Sequence, residues 1–164
     1  VRRLIVDLVT AILASSVSRA FDATIEQMVA LAVLMPIVAS MGGNAGTQTM
    51  TVTVRALATS KLSRLNAPRV ITREGLVGLC NGVVLSTLLA LVVYMWFGQG
   101  KLGLVIGAAM IVNSVAAGLA GILIPLAMDS LDLDPAPASG VFVTMITDVV
   151  GFFAFLGLAS IWLM

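Results

Sequence analysis

The stretch MPIVASMGGNAGTQTMTVTVRALA, from Met35 to Ala58, decides the fold class of this chain. It overlaps an interval without charged residues between Glu26 and Arg55, which is longer than the roughly 20 apolar residues needed to cross a bilayer as a helix. Within it, Pro36 removes a backbone N–H donor, and the GGNAG segment that follows adds conformationally permissive positions. The stretch therefore predicts a membrane helix broken by proline and glycine.

Other intervals have the length and apolar character of membrane helices. No charged residue lies between Glu74 and Lys101 or between Lys101 and Asp129. The segment DSLDLDPAPASG, residues 129–140, has three acids and two prolines and cannot cross hydrocarbon as a helix, but a long apolar run follows it. A weaker apolar segment spans residues 4–18. We predict an all-α membrane protein whose single transmembrane domain, residues 1–164, has five helices at about 3–20, 25–58, 71–97, 102–128 and 139–163.

The composition excludes several other classes of protein. The chain is 60% hydrophobic and only 10% charged, with a mean hydropathy of +1.12, whereas a soluble domain needs more charge to cover its surface. It has no histidine and one cysteine, which excludes zinc fingers, disulfide frameworks and histidine-based catalysis. Since no nucleophile–base pair, phosphate loop or cluster of basic and aromatic residues is present, we expect neither an enzyme nor a nucleic-acid partner.

The basic residues are distributed unevenly over the two sides that five spans would create. Only Arg19 and Lys101 fall on one side. The other side receives Arg2, Arg3, Arg55, Lys61, Arg64, Arg69 and Arg73. Because short cytoplasmic segments are enriched in lysine and arginine, we predict a multi-pass protein of the cell inner membrane with a cytoplasmic N-terminus and an external C-terminus.

The second predicted helix carries a stripe of polar side chains. Residues spaced by three and four share one face of a helix, and this face combines Asn44, Thr47, Gln48, Thr51 and Arg55. One interpretation is packing, since Gly42 and Gly46 form a small-xxx-small pair and amides bond between membrane helices. The length of the stripe and an acid in the last helix favour a conduction path instead.

That acid is Asp148, near the middle of the last predicted span. A charge at the bilayer centre costs about 2.5–3.5 kcal/mol on insertion scales, so it needs a function or a partner. Asp148 could be a protonated hydrogen-bond donor between helices, hold a cation in a wet path, or relay protons. Thr144, Thr147 and Gly151 share its face.

The cation can be inferred from the ligand types. Carboxylate, amide, hydroxyl and carbonyl oxygens suit magnesium, calcium or manganese. Mg²⁺ keeps several waters and is often held through one or two carboxylates. If a second copy of the chain brings another Asp148 to a shared axis, we expect a hydrated divalent cation between the two carboxylates, with Asn44 and the threonine hydroxyls bonded to its waters.

Two motifs carry a resemblance to a known family. The run PIVASMGGNAGTQTMTVTVRALA and the TD-x-x-G pattern of Thr147, Asp148 and Gly151 resemble the MgtE magnesium channel family. The resemblance implies a homodimer whose pore lies on the shared axis, lined by the second and fifth helices. It also implies cytoplasmic regulatory domains, which have no counterpart in these 164 residues.

The resemblance assigns pore roles to Gly43, Asn44, Gln48 and Asp148. Thr47 stands where some relatives carry asparagine, so a hydroxyl replaces a pore-lining amide. Glu26 occupies a position before the second helix where the family carries an acid. There it could concentrate cations at the outer mouth or be an ordinary first-turn charge.

We therefore expect a channel domain that conducts hydrated Mg²⁺, with membrane lipid, a divalent cation and a second copy of the chain as partners. A secondary transporter that exchanges Mg²⁺ for Na⁺ or H⁺ is the alternative, because a midplane acid and a broken helix suit both. A third interpretation is a non-conducting membrane subunit that only organises partners.

Overall fold

The chain folds into an all-helical structure, as predicted. The computed structural model describes residues 2–60, 62 and 66–163, and within these ranges all regular structure is α-helical. The helices are α1 (Arg2–Ala20), α2 (Asp22–Gln27), α3 (Val29–Ala58), α4 (Ala67–Phe97), α5 (Gly100–Ser130) and α6 (Pro135–Trp162).

Four of the described helices are long and apolar enough to cross a membrane. They are α3, α4, α5 and the part of α6 from Ser139 to Trp162. Helix α1 is not among them, because it is too polar. It has charged residues toward both ends, including Asp7 and Arg19, and several short polar side chains between these two. The predicted count of five spans therefore stays a prediction.

Helix α5 is the centre of the fold, and small residues let its neighbours approach closely. A Cβ built on Gly78 of α4 would lie 2.7 Å from the Ser114 carbonyl oxygen of α5, and one on Gly118 of α5 would lie 2.9 Å from the Glu74 carbonyl oxygen of α4. Lipid tails are as apolar as leucine, so helices in a membrane associate through such close packing. The α4–α5 turn contains Gly98, whose φ of 65° favours glycine.

An apolar core fills one end of the bundle. It joins α3, α5 and α6 to the last turns of α4, and its fully buried side chains include Leu31, Leu34, Val38, Val93, Ile106 and Phe155. Phe21 packs beside this core and meets the ring of Phe153 edge to face, with 6.0 Å between centroids. The core fixes α3 and α6 side by side against α5.

The predicted break in the second membrane helix is wrong. Helix α3 continues without interruption through Pro36 and the GGNAG segment. Proline removes one backbone hydrogen bond, and here Pro36 lies on the exposed surface of α3. Gly42 and Gly46 are buried against α5 and α6, and this packing supports α3 at its glycine-rich segment. The break lies earlier, at Met28, where φ of −141° and ψ of 91° separate α2 from α3.

The last helix also begins earlier than predicted. It starts at Pro135, not near residue 139, so the proline-rich segment forms its first turn. A proline fits this position because first-turn N–H groups have no partner within the helix. The Asp134 carboxylate accepts a hydrogen bond from the Ala136 N–H at 3.0 Å and caps the end. Helix α4 likewise begins at Ala67 instead of residue 71.

We expect Asp134→Ala to lower the free energy of unfolding by about 1 kcal/mol, because it removes this N-cap. Thermal unfolding of the purified chain in detergent measures the change. Asp134→Asn is the matched control, since its amide oxygen still accepts the bond while the charge is lost. Equal melting temperatures for the alanine and asparagine variants would contradict the capping role.

The orientation in the membrane stays a prediction. Arg55 is in the last turn of α3, while Arg69 and Arg73 are in the first two turns of α4, so all three share one end of the bundle. Lys61 and Arg64, which also entered the prediction, lie outside the described residues.

Candidate cation path

Helix α3 has one buried and one exposed face. The buried face packs against α5 and α6 and includes Leu34, Val38, Gly42 and Gly46. The opposite face is exposed and polar over its second half; its members are Ser40, Asn44, Gln48, Thr51 and Arg55. Thr47, which is half-buried, lies at the edge of this face. We call these six residues the polar face of α3.

A polar face on a membrane-spanning helix needs water or protein beside it. An amide left without a partner in hydrocarbon costs several kcal/mol, on the order of 4–8 in transfer to cyclohexane. Asn44 and Gln48 are both exposed, although they lie well inside α3. The polar face therefore cannot be turned toward lipid tails.

The threonine hydroxyls of this face are oriented by the backbone. Thr47 Oγ1 donates to the Gly43 carbonyl at 2.9 Å, and Thr51 Oγ1 donates to the Thr47 carbonyl at 2.8 Å. Each hydroxyl has one proton and two lone pairs, so a hydroxyl that donates to its own helix presents only acceptor lone pairs outward. Such oxygens can bind a cation or the protons of its water shell.

Helix α6 brings its threonines next to Gly43. A Cβ built on Gly43 would lie 3.9 Å from Thr144 Cγ2 and 4.0 Å from Thr147 Oγ1. Thr144 Oγ1 donates to the Gly140 carbonyl at 3.1 Å, and Thr147 Oγ1 donates to the Thr144 carbonyl at 2.9 Å. The structure thus groups Gly43, Thr144 and Thr147. Thr147 is fully buried and also packs on Gly46, so it supports the helix contact and has no exposed surface.

Asp148 comes directly after Thr147 in the sequence of α6. It is half-buried, next in the chain to Thr147 and one turn beyond Thr144. Within the described ranges, its carboxylate has no hydrogen bond or salt bridge. A carboxylate in a membrane-spanning helix without a partner is a functional-site candidate.

Glu26 lies apart from this group. It is exposed on α2, before the bend at Met28. Asn44 is fifteen residues beyond the start of α3, or about 22 Å along the helix axis. The structure therefore does not bring Glu26 to Asp148; it places Glu26 toward the opposite end of α3 from Arg55.

The oxygen groups do not form a ready metal cage. In the part of the chain that the structure describes, no three His, Cys, Asp or Glu side chains come together as metal ligands. One carboxylate with amide and hydroxyl oxygens around it suits an ion that keeps its waters, since Mg²⁺ sheds them reluctantly.

Ser40 was missed in the sequence as a member of the polar face, and the residue whose carbonyl Pro36 frees was not named. Ser40 is exposed four residues before Asn44 and extends the face by one turn. The Ala32 carbonyl loses its regular helical donor because Pro36 has no N–H, and both residues are exposed. Ser40 could have been found because it lies four residues before Asn44. Ala32 could have been found because its carbonyl is the one that would accept from the missing N–H of Pro36, four residues later.

These features define a multi-pass membrane protein whose apolar helices include one with a continuous polar face. Residues 35–158 match the MgtE family, described as a divalent cation transporter, and the chain belongs to this family. The resemblance seen in the two motifs is thereby confirmed. The family is one of transporters and not of enzymes.

Curated relatives agree with this assignment. The magnesium transporter MgtE of Enterococcus faecalis is 38% identical over 143 residues, which cover 87% of this chain and 32% of the relative. The MgtE of Thermus thermophilus is 36% identical over 163 residues, which cover 99% of this chain and 36% of the relative. The MgtE of Bacillus subtilis is 32% identical over 157 residues, which cover 96% of this chain and 35% of the relative. The chain thus spans about a third of the length of these relatives.

Proposed function

We propose that the chain is the membrane part of a magnesium channel and conducts hydrated Mg²⁺ along a path lined by α3 and α6. The observation that carries this proposal is the exposed polar face of α3 together with the half-buried Asp148 of α6, for which the described residues supply no hydrogen bond or salt bridge. Membership of a divalent cation transporter family and relatives named as magnesium transporters support it.

A second copy of the chain completes the path. The polar face cannot remain against lipid, and a two-fold axis beside it places the same face of the partner opposite. Asp148 is then present twice at the axis. Two carboxylates repel each other in a low-dielectric site, and a divalent cation between them offsets that repulsion.

The waters of the ion fit the other groups of the path. Water bound to Mg²⁺ donates its protons outward, so it needs acceptors around it. The oriented hydroxyls of Thr47 and Thr51 and the amide oxygens of Asn44 and Gln48 are such acceptors. Glu26, at the far end of α3, would concentrate cations at the entrance.

The test is Mg²⁺ uptake into liposomes that contain the purified chain, with no Na⁺ or pH gradient across the membrane. A channel admits Mg²⁺ down its own gradient until the concentrations balance, provided that an ionophore for K⁺ removes the electrical imbalance. Protein-free liposomes are the control. Uptake that needs an opposed Na⁺ or H⁺ gradient would replace the channel with an exchanger.

A further inference from the structure

Asn113 of α5 is a fully buried polar residue between the helices of the proposed path. It has no exposed surface, and its Nδ2 donates to the Val38 carbonyl of α3 at 2.9 Å. A Cβ built on Gly42 of α3 would lie 2.8 Å from Asn113 Cγ, and one built on Gly151 of α6 would lie 2.7 Å from its Nδ2. One amide group thus fills the space between two glycines on two different helices.

The bond from Asn113 does not rescue an unpaired carbonyl. In a regular helix the Val38 carbonyl already accepts the N–H of the residue four positions later, which is Gly42. The carbonyl has two lone pairs, and Asn113 uses the second. The hydrogen bond from Asn113 therefore acts on geometry, because it fixes the position of α3 along the length of α5.

The other end of the amide is unsatisfied. Among the described residues, no group donates to Asn113 Oδ1, although the atom is fully buried. A buried acceptor without a donor destabilises a fold, and an apolar side chain of the same shape would avoid that cost. The hydrogen bond to Val38 accounts for the Asn113 Nδ2 group, but packing gives no reason for its buried oxygen.

Both glycines lie next to groups of the proposed path. Gly42 is two residues before Asn44, and Gly151 is three residues, nearly one turn, after Asp148. A change in the space that Asn113 fills moves α3 relative to α6. It would change the separation of the Asn44 oxygen and the Asp148 carboxylate.

We propose that Asn113 is a positioning residue that sets the register of α3 against α6 and thereby the ion preference of the path. It acts through Val38, Gly42 and Gly151, since its side chain is sealed from the polar face. The proposal rests on the proposed function, because the path must conduct before its preference can be measured.

The first variant is Asn113→Leu, which keeps the branching at Cγ, enlarges the side chain and removes the amide. We expect it to fold with a melting temperature near that of the wild type, because removal of the unsatisfied oxygen offsets the lost hydrogen bond to Val38 and the larger side chain. We expect its preference for Mg²⁺ over Na⁺, from reversal potentials in bilayers, to fall about tenfold, with a raised half-saturating Mg²⁺ concentration. A purely structural residue would change only the amount of folded channel and the maximal rate.

A second set of variants separates packing from the amide if leucine does not fit. Gly42→Ala alone clashes with Asn113, and the double variant Gly42→Ala with Asn113→Ala relieves the clash. We expect the double variant to regain the melting temperature lost by Gly42→Ala but not the Mg²⁺ preference.

The outcomes separate the two proposals. If the wild type conducts and a folded Asn113→Leu or double variant keeps the wild-type preference and half-saturation, the positioning role is overturned while the channel stands. If the wild type conducts no Mg²⁺ in the same bilayers, the proposed function fails, and the positioning role fails with it.

Discussion

Replacing Asp148 with asparagine will remove most Mg²⁺ conduction while leaving the helices assembled. The asparagine keeps the shape of the side chain and loses the charge. A carboxylate about 5 Å from a divalent ion, with one water layer between, contributes about 1.7 kcal/mol even at the dielectric constant of water. That energy is about a twentyfold change in affinity for each carboxylate, and about 300-fold for two copies at an axis.

The measurement is Mg²⁺ flux into liposomes per amount of folded protein, for the wild type, Asp148→Asn and Asp148→Ala. Asp132→Asn is the matched control, because it removes one acid in the loop between α5 and α6. Asp132 has φ of 55°, a conformation that asparagine tolerates. We expect the control to conduct like the wild type.

The same variants test the competing interpretations of Asp148. An acid that serves only as a protonated donor between helices could be replaced by asparagine, whose amide also donates. In that case Asp148→Asn would conduct normally, and Asp148→Ala would melt at a lower temperature. Wild-type flux and ion preference in Asp148→Asn would therefore rule out the cation site.

The fold class followed from the sequence because the signal is compositional. Long intervals without charged residues are typical of segments that lie in the hydrocarbon of a membrane. Four of the spans could therefore be located without any knowledge of packing. The face that joins Asn44, Gln48 and Arg55 was also predictable, since helical periodicity alone determines it. Both inferences depend on local rules.

The break in the second membrane helix was not predictable from those rules. Pro36 and the glycines that follow are weak points only if nothing supports them, and the close contacts of Gly42 with Asn113 and of Gly46 with Val143 provide the support. The observed break is at Met28, a residue with no intrinsic tendency to end a helix. Met28 packs against the apolar core, so tertiary contacts accompany the extended backbone there.

The contact between Gly43 and Thr144 could not be predicted from the sequence for a related reason. Periodicity gives the face of each helix but not the height at which two helices cross. That height is set by side chains that fill gaps, such as Asn113, and by glycines that allow approach. The sequence could name the residues of the candidate path but not their pairing.

We expect Gly121→Ala to destabilise the protein more than any other alanine substitution at a glycine of α5. A Cβ at this position would lie 2.7 Å from the Gly46 carbonyl oxygen, 2.7 Å from Thr49 Cβ and 3.0 Å from the Met50 backbone nitrogen. Backbone atoms of a helix cannot rotate out of the way as a side chain can, so α3 must move away from α5. Overpacking of this kind costs about 1–3 kcal/mol.

Gly157→Ala of α6 is the matched control for this substitution. No described atom lies within 4 Å of the position that its Cβ would occupy. Both substitutions gain the higher helix propensity of alanine, about 1 kcal/mol in a soluble helix, so the difference between them isolates the clash. Thermal unfolding in detergent should give a clearly lower melting temperature for Gly121→Ala and no decrease for Gly157→Ala.

The displacement should also reach the polar face of α3. Gly46, which Gly121 contacts, lies on the buried face of the same helix, two residues from both Asn44 and Gln48. If the helix moves as a rigid body, a shift away from α5 carries both amides toward the proposed two-fold axis. Mg²⁺ flux per folded Gly121→Ala protein should therefore fall, while Gly157→Ala conducts normally. Equal melting and equal flux for the two variants would show that the close approach of α3 to α5 neither stabilises the fold nor positions the path.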